Sequence, residues 1–157
     1  MNDIFNKLYI FEMANNHQGK LSHGKAIIDY LKVIKDEFNI NAAVKLQYRD
    51  LWPEPNFIHP DYRDREDVKH VPRFLSTRLT DSEFIELINY IKSAGFRAIV
   101  TPFDEASVDK CIAHEVDVIK VASCSVKDWP LLEKIAVTDK PVIISTGGAV
   151  LSEIDMW

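Results

Sequence analysis

Arg97-Ala-Ile-Val-Thr-Pro-Phe103 decides the fold, and Val118-Ile-Lys-Val-Ala-Ser123 and Pro141-Val-Ile-Ile-Ser-Thr-Gly147 answer it further along the chain. Each is a short β-branched run without alternation, bounded by turn or helix signals, and so reads as a strand buried on both faces. Each also carries polar groups within or just after the apolar residues: Thr101, then Lys120 and Ser123, then Ser145 and Thr146. An ammonium or hydroxyl group is costly to bury unless it finds partners. In parallel α/β folds the carboxyl ends of the strands open into a common mouth, where ligands bind. One Thr or Ser there is explained as a cap for the next helix. Three strands in succession, with a lysine embedded in the middle one, point to a site for an anion.

The surrounding composition makes that site local. The 157 residues are enough for one domain with a real core, and 46% hydrophobic and 27% charged residues are ordinary for a globular chain. A net charge of -5 gives no reason to expect nucleic acid or an acidic membrane as partner. Cys111 and Cys124 lie in no metal or redox spacing, which suits free thiols in the cytoplasm. Asp3 near the start and the lack of a long apolar stretch argue against a signal peptide or a membrane span.

Leu8-Tyr-Ile-Phe11 reads as a first strand, ending in Glu12-Met-Ala-Asn-Asn-His-Gln-Gly19. Turn chemistry accounts for Gly19 and one asparagine, but not for a carboxylate at the end of a buried strand. Glu12 is therefore a candidate, with Asn16 and His17 beside it. Ser22 is the expected cap of a helix whose inward face is Ala26, Ile27, Tyr30, Leu31, Ile34 and Phe38. Asn41–Tyr48 is the second strand; Lys45 and Gln47 share one of its faces, read as the inward one. Between about residues 49 and 80 periodicity fails, and a loop of roughly 30 residues in a compact domain is usually a lid or binding excursion. Its charged middle, Arg63–His70, is read as solvated surface, and its aromatic residues argue against disorder. Thr80-Asp-Ser-Glu83 opens the next helix with a capping box, and Gly95 ends it. Asp104 is expected mainly to cap the helix 105–114, with His114 at the surface and Cys124 packed inertly. Asp128-Trp-Pro130 starts another helix, and Leu151–Trp157 begins a last one.

Strands alternating with helices five times indicate a parallel α/β sheet. Two architectures fit: an open five-stranded doubly wound sheet, or the first five units of an eight-fold barrel of about 250 residues. Polar residues at all five strand ends suit the barrel, which gathers every strand end around one axis.

Glu12-x-x-x-Asn16-His17-x-Gly19, Val44-Lys-x-Gln47, Thr101-Pro-Phe-Asp104, Lys120-x-x-Ser123 and Lys140-Pro-Val-Ile-Ile-Ser-Thr-Gly147 together resemble the N-acetylneuraminate (sialic acid) synthase family. Any one of these motifs is weak, whereas five in register are specific, and they cover almost the whole chain. The resemblance implies that residues 1–157 are the N-terminal portion of a (β/α)8 barrel, with a lid-like loop at about 49–80. It implies condensation of phosphoenolpyruvate with an N-acyl-hexosamine such as N-acetylmannosamine, giving a nine-carbon 2-keto sugar acid and phosphate. It further implies a divalent metal, manganese or magnesium, whose ligands are not expected in this chain, and it leaves a homo-oligomer open. By resemblance, Lys45 and Lys120 hold the donor's anionic groups while Thr101, Ser123 and Ser145 donate hydrogen bonds. Glu12 faces the reacting end of the sugar, and Asn16, His17 and Gln47 shape that end. Glu12, Lys45 and Lys120 are thus the expected catalytic residues.

One departure concerns the acceptor: Cys124-Ser125 stands where the family has Gly-Glu, and Ser125 replaces a sugar-binding carboxylate. The chain also ends before the family's later histidines, so by itself it is expected to be an inactive fragment with two open sheet edges. Two other readings remain: a Schiff-base aldolase with Lys120 as nucleophile, and a non-catalytic module binding a phosphorylated ligand.

Overall fold

The computed structural model describes residues 4–155. Five parallel strands form one sheet: β1 (Tyr9–Ala14), β2 (Ala42–Tyr48), β3 (Arg97–Pro102), β4 (Val118–Val121) and β5 (Val142–Ile144). Their spatial order is their chain order, each strand pairing with the one before it. The connecting helices are α1 (Leu21–Phe38), α2 (His70–Ser76), α3 (Asp81–Ser93), α4 (Glu105–Ala113) and α5 (Trp129–Ala136). A last turn, α6 (Leu151–Ile154), follows β5. The expected continuation of that helix through Met156 and Trp157 lies outside the described residues, as does Asp3.

The two faces of the sheet differ, and that difference selects the architecture. Val44, Leu46 and Tyr48 of β2, Ala98 and Val100 of β3, and Ile119 and Val121 of β4 pack against Ile28, Leu87, Ile88, Ile91, Val108, Cys111, Leu131 and Ile135. Those partners come from α1, α3, α4 and α5, so these helices all cover the same face. The other face carries a small apolar layer of Ala43, Ile99 and Val118, with Ile4, Leu8 and Ile143 against it. A doubly wound sheet reverses its strand order and places helices on both faces. Sequential order with helices on one face is instead an arc of a (β/α)8 barrel, and the apolar layer is part of its interior.

Local sequence accounts for most element ends. Thr80 and Glu83 form the expected reciprocal capping box at α3, and Asp104 and Asp128 cap α4 and α5. Ser22 does not cap α1: the cap position is Lys20, which makes no side-chain cap hydrogen bond. The inward face of α1 also differs from expectation. Gly24 and Ile28 are buried, with Ile27 and Leu31 packed beside them, whereas Tyr30, Ile34 and Phe38 face outward. Sequence periodicity cannot separate two apolar stripes on one helix. Gly24 decides between them, because a Cβ there would meet Leu87 at 3.0 Å.

The 49–80 excursion is folded. Leu51, Ile58 and Val71 form a separate apolar cluster with Phe57, Val68, Phe74 and Leu75. Its charged stretch around Arg65 and Asp67 is exposed, as the sequence suggests. The excursion's end leans on the first turn: Gly19 has φ +67°, and a Cβ there would lie 2.7 Å from the Ser76 carbonyl oxygen. No helix among the described residues is long and apolar enough to cross a membrane.

Candidate functional site

Strand alternation turns Lys45 and Gln47 of β2, Thr101 of β3, Lys120 of β4 and the residue after β5, Ser145, toward the barrel side. This polar layer lies next to the Ala43–Ile99–Val118 layer, toward the carboxyl ends of the strands. Lys45 is only 5% exposed. Its Nζ lies 2.7 Å from Glu12 Oε2 and donates to Thr101 Oγ1 at 3.2 Å. Glu12 and Lys45 are register partners on β1 and β2, which explains the contact without any loop geometry. Lys120 Nζ donates to Ser145 Oγ at 2.6 Å and to the Val121 carbonyl at 3.4 Å.

The two ammonium groups feel each other. The Lys120 pKa is lowered, first by burial and then by the Lys45 charge, while Glu12 and Cys124 oppose the shift. The carboxylate pairs with Lys45 and acts on Lys120 only through its charge, so Lys120 is left with neutral partners. Ser123 is exposed just past β4, and its side chain faces Gly147, whose added Cβ would lie 3.3 Å from Ser123 Cβ. The Gly147 backbone and the Ser123 side chain are therefore close neighbours past the ends of β4 and β5.

Not every expected residue joins this layer. His17 is 1% exposed and packs edge-on against Phe84 of α3, 6.1 Å between ring centroids. Its Nδ1 accepts from the Gly19 amide at 3.2 Å, whereas Nε2 is buried without a hydrogen-bond partner. Burial pulls its pKa down to about 4. His17 therefore packs the β1–α1 turn against α3 and does not join the lysine layer. Asn16 is exposed on the same turn, and it is Asn15 that lines a cleft together with Gln47 and Arg49. His114, expected at the surface, is buried with its Nδ1 3.1 Å from the Tyr48 hydroxyl. Cys124, expected to pack inertly, is exposed. Ser125 is buried, its Oγ 3.9 Å from Cys124 Sγ.

Arg49 carries no signal in the local sequence. Its guanidinium lies 3.8 Å from the Phe103 ring centroid, 4.1 Å from Phe74 and 5.6 Å from Phe57. These rings come from three distant stretches, so no local pattern announces the cage. Among the described residues no three His, Cys, Asp or Glu side chains converge as a metal site.

Comparison with known proteins settles the lineage. A profile of the NeuB family matches residues 41–156. The chain belongs to the NeuB family. It is 39% identical to the N,N'-diacetyllegionaminic acid synthase of Campylobacter jejuni, over 94% of this chain and 44% of that protein. A crystal structure of a putative spore coat polysaccharide biosynthesis protein E from Chromobacterium violaceum superposes with a TM-score of 0.91 at 49% identity. That match covers 96% of this chain and 44% of the other. The N-acetylneuraminic acid synthetase of Leptospira borgpetersenii shares the fold, with a TM-score of 0.72 at 24% identity over 96% of this chain and 47% of that one. The chain spans between 39% and 44% of the length of the curated relatives it matches.

Proposed function

We propose that this chain forms the donor-binding part of a sugar-acid synthase, which condenses phosphoenolpyruvate with an N-acyl-hexosamine to give a 2-keto sugar acid and phosphate. The observation that carries the reading is the pair of inward lysines on β2 and β4, each hydrogen-bonded to a hydroxyl from the neighbouring strand. A three-carbon acid with a phosphate and a carboxylate needs two such cations at fixed separation, held by a rigid scaffold. The named synthase among the relatives gives the same direction for the product class.

In this reading Lys45 and Lys120 bind and orient the donor, with Thr101, Ser123 and Ser145 placing its oxygens. The enol carbon C3 attacks the sugar aldehyde, a water adds at C2, and phosphate leaves. The aldehyde oxygen gains a proton as it becomes a hydroxyl. Glu12, half exposed at the mouth, is the carboxyl group positioned to assist that transfer. Its ion pair with Lys45 couples the donor-holding lysine to the acceptor end of the mouth.

Titration calorimetry with phosphoenolpyruvate tests the reading. Lys45→Met and Lys120→Met are each expected to weaken binding by about tenfold or more, since a charge-assisted hydrogen bond is worth about 1.5–3 kcal/mol. Affinity unchanged from the unsubstituted protein in either variant sinks the proposal. The lowered Lys120 pKa also fixes a sign for pH: donor affinity declines on the alkaline side before an ordinary lysine would lose its charge. The same lowered pKa favours one competing reading, a Schiff base between Lys120 and a keto acid. Borohydride reduction in the presence of pyruvate separates the two, because only the aldolase leaves a covalent adduct on Lys120.

A further inference from the structure

Arg49 is the first residue after β2, and it reaches three parts of the molecule at once. Phe103 follows β3, Phe74 belongs to α2, and Phe57 sits in the excursion's apolar cluster. The guanidinium lies over all three rings, closest to Phe103 and Phe74. Its NH1 donates to Gln47 Oε1 at 3.2 Å, and its Nε is buried without a partner. Burial brings its pKa down to about 10, with Cys124 and Asp104 holding it up. A cation this desolvated, with no carboxylate in contact among the described residues, is an expense the fold would avoid if packing were the only need.

We infer that Arg49 is a positioning residue that pins the 49–80 excursion over the strand ends and holds the Gln47 amide oriented toward the acceptor end of the mouth. The planar guanidinium suits both tasks. Its central carbon lies over the Phe103 and Phe74 rings, while its NH1 holds the Gln47 carbonyl oxygen and so leaves the Gln47 NH2 group for another partner. Gln47 lies two residues beyond Lys45 on the same strand face, roughly 6–7 Å further toward the carboxyl end. A hexosamine whose aldehyde meets the donor near Lys45 extends past that amide. The acceptor part of this inference rests on the proposed synthase reading; the pinning of the excursion and of Gln47 does not.

The test uses Arg49→Lys, which keeps the charge and removes the plane, beside Gln47→Ala and Phe74→Leu. Two readouts need no substrate. Trypsin cleavage at the exposed Arg65 and Lys69 is expected to accelerate about tenfold in Arg49→Lys and Phe74→Leu, the order of the stacking lost, and to stay unchanged in Gln47→Ala. The Gln47 side-chain amide resonances, assigned by their absence in Gln47→Ala, are expected to collapse toward free-amide positions in Arg49→Lys. Should Arg49→Lys fail to fold, shown by lost amide dispersion, Phe74→Leu carries the cleavage test alone. Unchanged cleavage and unchanged Gln47 resonances overturn the inference. Faster cleavage with Gln47 unmoved also overturns it, leaving Arg49 a purely structural clasp. For the acceptor, N-acetylmannosamine affinity measured with donor present is expected to fall in Arg49→Lys and Gln47→Ala alike, without additivity, while phosphoenolpyruvate affinity holds. A loss confined to phosphoenolpyruvate contradicts the assigned role. Failure of the unsubstituted protein to bind either substrate counts against the synthase reading and leaves the two substrate-free readouts to judge the pinning.

Discussion

His17 shows how a residue that looks like chemistry can serve packing. It stands in a turn crowded with Asn and Gln, and only coordinates reveal that its ring is sealed beneath Phe84 and Gly24. Its pKa of about 4 has a consequence for stability. The folded protein holds this ring neutral, so the unfolded chain binds the extra proton between the two pKa values. His17's share of stability is complete above about pH 6.5, its ordinary value. That share is lost as pH falls toward 4, and no more goes below it. At 1.36 kcal/mol per pH unit the loss amounts to about 3 kcal/mol. Urea unfolding at pH 7.5 and pH 4.5 is the measurement, and His17→Gln is expected to flatten the acid side. His114, lowered in the same direction by burial, gives the variant a residual slope. Equal slopes in both proteins contradict the assignment.

At the scale of elements, α1 carries two apolar stripes and buries one. Ile28 is fully buried, whereas Tyr30 is 77% exposed. Ile28→Ala is expected to cost about 2–5 kcal/mol and Tyr30→Lys less than about 0.5 kcal/mol, both read from denaturant midpoints. Reversal of that order would mean the helix is rotated from the position described. The strands were easier to read than this helix. β3 and β4 announce themselves because parallel strands buried on both faces must be continuously β-branched, and Lys45 and Lys120 stand out as charges inside or beside such runs. β5 has the same composition and the same expectation, but as the edge strand it is not buried on both faces, and Ile144 is 42% exposed. The face of α1 depends on Leu87 from another helix, and the Arg49 cage on rings far apart in sequence. Both are decided by tertiary contacts, to which local periodicity is blind. The short helix α2 is equally invisible in the sequence, since its seven residues include Pro72 and show no repeat.

At the scale of the whole molecule, the barrel-type arrangement was legible only because polar residues recur at every strand end. The one-sided placement of the helices then removed the doubly wound alternative. Strand pairing in chain order also sets how far apart pairing partners lie. Ile99 and Val118 of β3 and β4 are 19 residues apart, and Ile119 and Val142 of β4 and β5 are 23 apart. Ala43 and Arg97 of β2 and β3 are separated by 54 residues because the excursion intervenes. Closing a longer loop costs more chain entropy before any contact rewards it. Pulse-labelling during refolding is therefore expected to protect the amides of β3 and β4 before those that bridge β2 to β3. Protection in the opposite order would show that the excursion's own cluster of Leu51, Ile58 and Val71 organises first. Either way, no unit must wait for a later one to complete its neighbour. A chain emerging from the ribosome can lay down each strand beside its predecessor, like staves set one by one, pausing only where the long detour must first be gathered in.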